Sequence, residues 1–375
     1  MERKLAHVEI IESIHPIEGA DKIEMAKILG WECVVKKEEF TVGDKVIYCE
    51  VDSVMPDKPE YEFLRDKKFR IRTIKLKGQI SQGLILPLSA AKNLTHKVEI
   101  GFDCTELLEI TKYLSPSEKE EIKKVEINQN KLTKFMKRYS WYRRLFLTRK
   151  QKEGFPYWVS KTDEERIQNI PHVLEQFKDK EVYVTEKIDY QSGTWTGKMV
   201  SNTTLLIGKF LPKKYQFVVC SRNLTNNNKD SLYWKIAKKY NLEQILEENP
   251  TLTIQGEQGD TKVQCNKYGI KEPTMWIFNI IDHEKNYHYN YTEIDNFCND
   301  AYDDGINCLR PVPLLGKYKL SELGSTVQEL VEFSKGKSVI NPKIEREGIV
   351  VRCIENGKKV LSFKVINPNF LLKYE

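Results

Sequence analysis

The sequence predicts an α+β protein of two or three domains, a small β-barrel followed by a larger mixed domain. Three observations lead there. The chain has 375 residues, more than a single ordinary core organises. Short β-rich runs separated by turn signals crowd the first 100 residues. After Phe155-Pro156 the character changes, and strand-like runs alternate irregularly with helical ones to the end.

Hydrophobic residues make up 40% of the chain and charged residues 30%, the balance of a folded soluble protein. No apolar run approaches the roughly 18 residues of a membrane helix. The start, MERKLAHVEI, has charge without an apolar core behind it, so no secretory signal is expected. Eight cysteines stand singly, with no CxxC pair. That usage fits reduced thiols, and a cytoplasmic or nuclear location.

The barrel is expected in residues 1–100. Runs 8–13, 45–51, 70–75 and 83–87 are β-rich and are bounded by signals such as Glu18-Gly19-Ala20-Asp21 and Gly43-Asp44. His15-Pro-Ile-Glu-Gly-Ala-Asp21, Val42-Gly-Asp-Lys-Val46 and Leu76-Lys-Gly78-Gln-Ile-Ser81-Gln82-Gly83 resemble the OB-type tRNA-binding module appended to some aminoacyl-tRNA synthetases. The resemblance implies nucleic-acid binding; the same glycines also suit plain barrel punctuation. Residues 101–152 read as a connector with a helix entry at Ser115-Pro-Ser-Glu. Within it, residues 131–152 carry nine Lys/Arg and no acid, with Tyr139, Trp141, Tyr142 and Phe146 interleaved. Such a stretch can hold phosphates and stack bases, or be an amphipathic connector with a solvated basic face. In residues 153–375, the run 161–169 reads as a helix start with acids in its first turn.

The chemistry concentrates in the same region. A strand-like run, 181–186, ends at Lys187, followed by Ile188-Asp189. An ammonium at the end of a buried strand is costly and seldom serves stability. Further strands follow in order: Val218-Val-Cys-Ser221-Arg222-Asn223; Leu252-Thr-Ile-Gln255-Gly256-Glu257; Met275-Trp276-Ile-Phe278; Arg346-Glu347-Gly348-Ile-Val-Val-Arg352; and Leu361-Ser-Phe-Lys364-Val-Ile.

This order resembles the covalent nucleotidyltransferase superfamily of ligases and RNA capping enzymes, and within it the ATP-dependent RNA ligases with an N-terminal OB module. FPYWVSKTDEERIQN, CSRNL, QGE, EGIVVR and SFKVIN carry the likeness. It implies a ligase/capping-type domain with antiparallel sheets that uses ATP with Mg²⁺ or Mn²⁺. Lys187 would attack the α-phosphate and keep AMP as a phosphoramidate. Attack needs a neutral amine, and Lys364 would both disfavour the ammonium and contact the α-phosphate. Glu186, Arg222, Glu257, Phe278 and Lys364 would form the nucleotide site, with Phe278 on the adenine and Trp276 as the other candidate. Phe278 and Trp276 are two apart on a strand, a spacing that equally suits two core residues on one face. Asp189, Glu257 and Glu347 would hold the metal, largely through water. Two positions depart from the superfamily pattern: Tyr190 stands where a glycine usually follows KxD, and Ile366 where a second lysine is common.

The reaction expected is sealing of a 3′-OH to a 5′-phosphate on RNA, in nicked duplexes with an RNA 3′-OH strand, by a monomer. A DNA ligase or capping enzyme carries a further OB domain after the catalytic one, whereas only eleven residues follow Lys364 here. A non-catalytic RNA-binding scaffold is the other alternative. It would be expected to have lost one of Lys187, Glu257, Glu347 or Lys364.

Overall fold

The computed structural model describes residues 4–91, 94–114, 154–200, 213–303 and 309–374. The basic run 131–152 and the helix expected from Ser115 lie outside the described residues. The chain divides into two compact units, Met1–Lys150 with Leu371–Glu375, and Gln151–Phe370.

The C-terminal piece of the first unit belongs to the helix Pro368–Tyr374, and the N-terminal part is all β apart from 3₁₀ turns among its described residues. Its strands are β1 (Ala6–Ile10), β2 (Ser13–Pro16), β3 (Ile23–Ile28), β4 (Trp31–Lys36), β5 (Lys45–Cys49), β6 (Ser53–Val54), β7 (Thr73–Leu76), β8 (Gln79–Gln82), β9 (Leu84–Pro87) and β10 (Thr111–Lys112). They form antiparallel groups β1-β5-β9, β2-β3-β4, β7-β8 and β6-β10. β5 explains the arrangement. Val46 and Tyr48 pack with Trp31, Ile28 and Ile85 on one face, while Ile47 and Cys49 pack with Val8, Met55 and Cys104 on the other. Alternation along a strand thus feeds two cores. The second core takes Cys104, Leu108 and Ile110, so this unit continues past residue 100.

The Gly78–Gly83 phrase ties its hairpin to β4 and β5. The Ser81 hydroxyl accepts the Val34 N–H at 2.9 Å, and the Gln82 carbonyl accepts the Tyr48 hydroxyl at 3.1 Å. Gly83 has φ +110°, and a Cβ there would lie 2.3 Å from the Tyr48 ring.

The second unit is α+β. Its strands are β11 (Glu165–Arg166), β12 (Glu181–Lys187), β13 (Gln191–Val200), β14 (Lys214–Cys220), β15 (Leu252–Gly259), β16 (Thr274–Asp282), β17 (Tyr287–His288), β18 (Leu314–Lys319), β19 (Gly348–Glu355) and β20 (Lys358–Ile366). Two five-stranded sheets result, ordered β11-β20-β19-β12-β18 and β14-β13-β15-β16-β17, antiparallel except for the β11–β20 pair. Helices Leu320–Leu323 and Val327–Ser334 cover the first sheet. Helices Leu232–Lys239, Leu242–Glu248 and Tyr291–Asp303 cover the second. Ile188, Tyr190, Tyr268, Trp276 and Val312 form a separate apolar cluster beside the β12–β13 link, with Phe278 partly buried against it.

The helix start expected at 161–169 is instead strand β11 followed by a 3₁₀ turn, Ile167–Asn169. Its acids do not face helix N–H groups: Asp163 pairs with Arg222, and Glu164 with Arg352 at 2.7 Å. No helix among the described residues is long and apolar enough to cross a membrane.

Candidate active site

β12 delivers Lys187 to the point where the chain leaves the first sheet for the second. Successive side chains on a strand face opposite ways. Glu186 accordingly turns from Lys187 and is fully buried, accepting the Val339 N–H at 2.7 Å. Its carboxylate belongs to the packing under β12 and not to the group around Lys187, unlike the nucleotide role expected for it.

Lys187 pairs in register with Gly348, which places Glu347 beside it across the β12–β19 ladder. Their Nζ and Oε1 are 2.6 Å apart, with side chains 25% and 13% exposed. Three features fix Glu347. A Cβ at Gly348 would fall 2.2 Å from the Val365 carbonyl oxygen and 3.0 Å from Ile366 Cα, so only glycine lets β19 start this close to β20. The Asn367 N–H donates to the Glu347 carbonyl at 2.9 Å. Arg346 donates to the carbonyls of Phe333, Ser334 and Lys335 at the end of helix Val327–Ser334, satisfying acceptors that a helix end leaves open.

Glu257 comes from the second sheet. The Ser192 hydroxyl on β13 donates to its Oε1 at 2.6 Å. A Cβ at Gly256 would lie 2.7 Å from the Trp276 carbonyl oxygen, next to the β15–β16 register shift. Glycine there allows the bulge that aims Glu257.

The electrostatics follow from burial and crowding. Burial works against the Lys187 ammonium, but the carboxylates of Glu347, Glu257 and Asp189 outweigh it and hold its pKa above the ordinary lysine value. In this arrangement the ammonium form of Lys187 is favoured, so the neutral amine expected for attack has to form before the reaction. Burial raises the Glu257 carboxyl to about 7 against the pull of Lys187. Burial also raises Glu347, with Lys187 and Lys364 acting in the opposite direction and Asp189 in the same one. Lys364 is thus within electrostatic reach of Glu347.

Asp189 is engaged by Lys267, and its N–H donates to the Tyr268 hydroxyl at 2.8 Å. Arg222 is bound to Asp163. Trp276, opposite Glu257, is 4% exposed and stacks on Tyr190 with centroids 6.0 Å apart at 14°. Phe278 is only partly buried, with the Arg352 guanidinium 5.5 Å from its ring centroid and bonded to its carbonyl. Of the two aromatics, Phe278 has a surface left for a ligand.

The departures resolve locally. Tyr190 is not at positive φ. Its ring fills the space that Gly259 leaves, where a Cβ would be 2.5 Å away. Ile366 is 4% exposed, opposite Gly348, and serves packing. Sequence reasoning missed Arg166, 6% exposed and in register with Lys364, and the Lys267–Tyr268 pair on Asp189. The acidic phrase around Arg166 resembled a helix cap, and nothing local links Lys267 to Asp189.

Among the described residues no group of three or more His, Cys, Asp or Glu converges tightly enough to hold a metal alone. Glu257 Oε2 and Glu347 Oε2 are nonetheless buried without a hydrogen-bond partner. Hard carboxylate oxygens left open in this way suit a hydrated Mg²⁺ or Mn²⁺ ion.

A family model for RNA ligase matches residues 180–366, and one for an OB-fold domain matches residues 5–88. No curated protein sequence matches the chain. Naegleria gruberi RNA ligase with PPi is 29% identical, covering 99% of this chain and 98% of that chain at a TM-score of 0.77. Mutants of it with ATP and Mn, and with AMP and Mn, are 27% and 28% identical. Each covers 98% of both chains, at TM-scores of 0.77 and 0.76. Residues 180–366 thus match the RNA ligase family, and over nearly its whole length the chain is similar to an RNA ligase, a nucleotidyltransferase-type enzyme with an OB-fold domain ahead of the catalytic one.

Proposed function

We propose that the protein seals RNA 3′-OH and 5′-phosphate ends with ATP, through AMP carried on Lys187. The observation that carries this is the Lys187 Nζ–Glu347 Oε1 contact at 2.6 Å, beside two carboxylate oxygens with no partner. To attack, Lys187 must first give up a proton, and Glu347 Oε1 is placed to accept it. The Nζ–P bond then forms on the α-phosphate as the bond to pyrophosphate breaks. Lys364 would offset the charge that develops there, and Phe278 would offer its ring to adenine. Arg222 would contact the ribose. A divalent ion, when bound, neutralises phosphate charge; Glu257 and Glu347 would hold it through water, with Asp189 in the outer ring. AMP passes next to an RNA 5′-phosphate, and attack by the 3′-OH releases it.

Nicked duplex is the preferred substrate, and the protein acts as a monomer in the reducing cytoplasm or nucleus. The N-terminal barrel unit grips RNA, the basic run 131–152 contributes further contacts, and 153–375 hold the nucleotide. Naegleria gruberi RNA ligase structures with ATP, AMP and Mn support this reading.

The test is transfer of label from α-labelled ATP, and not from γ-labelled ATP, to Lys187. Lys187→Ala and Lys187→Arg should take no label, arginine because it stays protonated. Lys187→Ala should still close a nick already bearing 5′-AMP. Normal labelling of either variant would refute the assignment.

A further inference from the structure

The segment before β11 runs across one face of the second sheet. The Thr225 hydroxyl donates to the Gly154 carbonyl at 2.9 Å, and Gln255 Nε2 to the Ser160 carbonyl at 2.8 Å. Between these anchors, Trp158 Nε1 donates to Thr196 Oγ1 at 3.3 Å. Trp158 is therefore bound into the fold. Its neighbour Tyr157 is not: it is 88% exposed and touches the indole edge-on, with centroids 5.1 Å apart at 89°. Lys198 Nζ lies 4.1 Å from the Trp158 centroid and 4.9 Å from that of Tyr157, and donates to the Tyr157 hydroxyl at 3.3 Å.

An exposed large ring gains nothing for the fold in water. A ring with an open face beside a fixed ammonium does match a nucleotide, whose base stacks and whose phosphate takes the cation. The position is also informative. Ser192, Thr194, Thr196 and Lys198 share one face of β13, and Ser192 is the residue that holds Glu257. Four residues of strand separate Ser192 from Thr196, ~13 Å, with Lys198 ~7 Å farther on. Base pairs of a B-form duplex rise ~3.4 Å each along a strand, and on that scale the platform lies roughly four to six nucleotides from Ser192, which holds Glu257.

We propose that Tyr157, Trp158 and Lys198 form an RNA-docking platform that stacks an unpaired base on Tyr157, four to six nucleotides from the end being joined. This rests on the RNA-sealing reading above and deepens it by naming a substrate feature.

The test uses the full chain and its Tyr157→Ala, Tyr157→Phe and Lys198→Ala variants. Two nicked RNA duplexes serve as probes, one fully paired and one with unpaired bases four to six positions from the nick. Affinity is read by fluorescence anisotropy across salt concentrations, and self-labelling with α-labelled ATP is read separately. Tyr157→Ala should bind the unpaired-base RNA about tenfold more weakly, while Tyr157→Phe stays within about twofold because it keeps the ring. Lys198→Ala should reduce the slope of log affinity against log salt by roughly 0.7–0.9. Labelling should be unchanged in all three. Equal affinity of Tyr157→Ala and the parent overturns the platform, and so does an equal loss on both RNAs, which leaves no role for an exposed base. Loss of labelling in Tyr157→Ala overturns it too, by making the ring part of the nucleotide pocket. A parent that takes no label refutes the lysyl-AMP reading instead, while the binding comparison still decides the platform.

Discussion

Glu257→Gln removes a charge from the most crowded part of the site and keeps the side chain's shape. The amide oxygen can still accept from Ser192, so the change isolates ionisation. In the fold, burial raises this carboxyl from 4.5 to about 7. A raised carboxyl contributes stability while protonated, below its unfolded value near 4.5, and loses it as pH rises through about 7. Each pH unit between the two values is worth ~1.4 kcal/mol, an upper bound of about 3 kcal/mol over the window. Partial exposure of Glu257 reduces this to about 2 kcal/mol. Urea unfolding of parent and variant, metal-free, should give similar stabilities near pH 4.5 and a variant more stable by about that amount at pH 8. Labelling should fall in the same variant, since the stabilising change removes a functional carboxylate. A stability difference that does not change between the two pH values would refute the burial argument.

Three further outcomes are expected. Gly348→Ala forces a Cβ to 2.2 Å from the Val365 carbonyl oxygen, and should cost about 1–3 kcal/mol by overpacking, with labelling reduced because Glu347 shifts; thermal melts and labelling rates check both. His7 lies between Glu9 at 2.7 Å and Glu50 at 3.6 Å; burial opposes its charge, yet the two carboxylates hold it up to about 9. His7→Gln should therefore cost about 3–5 kcal/mol at pH 6, a difference that shrinks as pH rises through 9, measured by denaturation of both proteins. Arg346→Ala should slow labelling more than it weakens ATP binding, because it frees the loop that presents Glu347; single-turnover rates against ATP concentration separate the two.

How far the sequence could be read depends on where each interaction lies. The run ending at Lys187 coincides with β12, since a buried alternating segment stopped by a charge defines its own end. Met275–Phe278 and Gly348–Arg352 were equally legible, each an apolar run bounded by polar residues. Strands β3 and β4 were passed over because Glu24, Lys27 and Glu32 interrupt their apolar positions; the core they feed becomes visible only when Trp31 meets Tyr48. At the site, the order of motifs named Lys187, Glu347 and Glu257 as one group, and their three charges lie within mutual reach. It could not separate Glu186, one residue away, whose opposite orientation follows from strand geometry and its bond to Val339. The charge state of Lys187 in the free site was not legible for a similar reason. Lys364 is visible in the sequence, but the combined field of three carboxylates is a property of the assembled site.

Tyr190 and Gly259 have a consequence for how this site can change. The ring of one occupies the volume the other leaves open, and the same ring lies against Trp276 across from Glu257. A glycine at position 190, the usual superfamily choice, would leave a void under the strand that carries Glu257. Any larger residue at 259 would expel the tyrosine. Neither position can drift alone without an unfit intermediate, so the two act as one inherited character, and transplanting this site onto a relative requires moving both together.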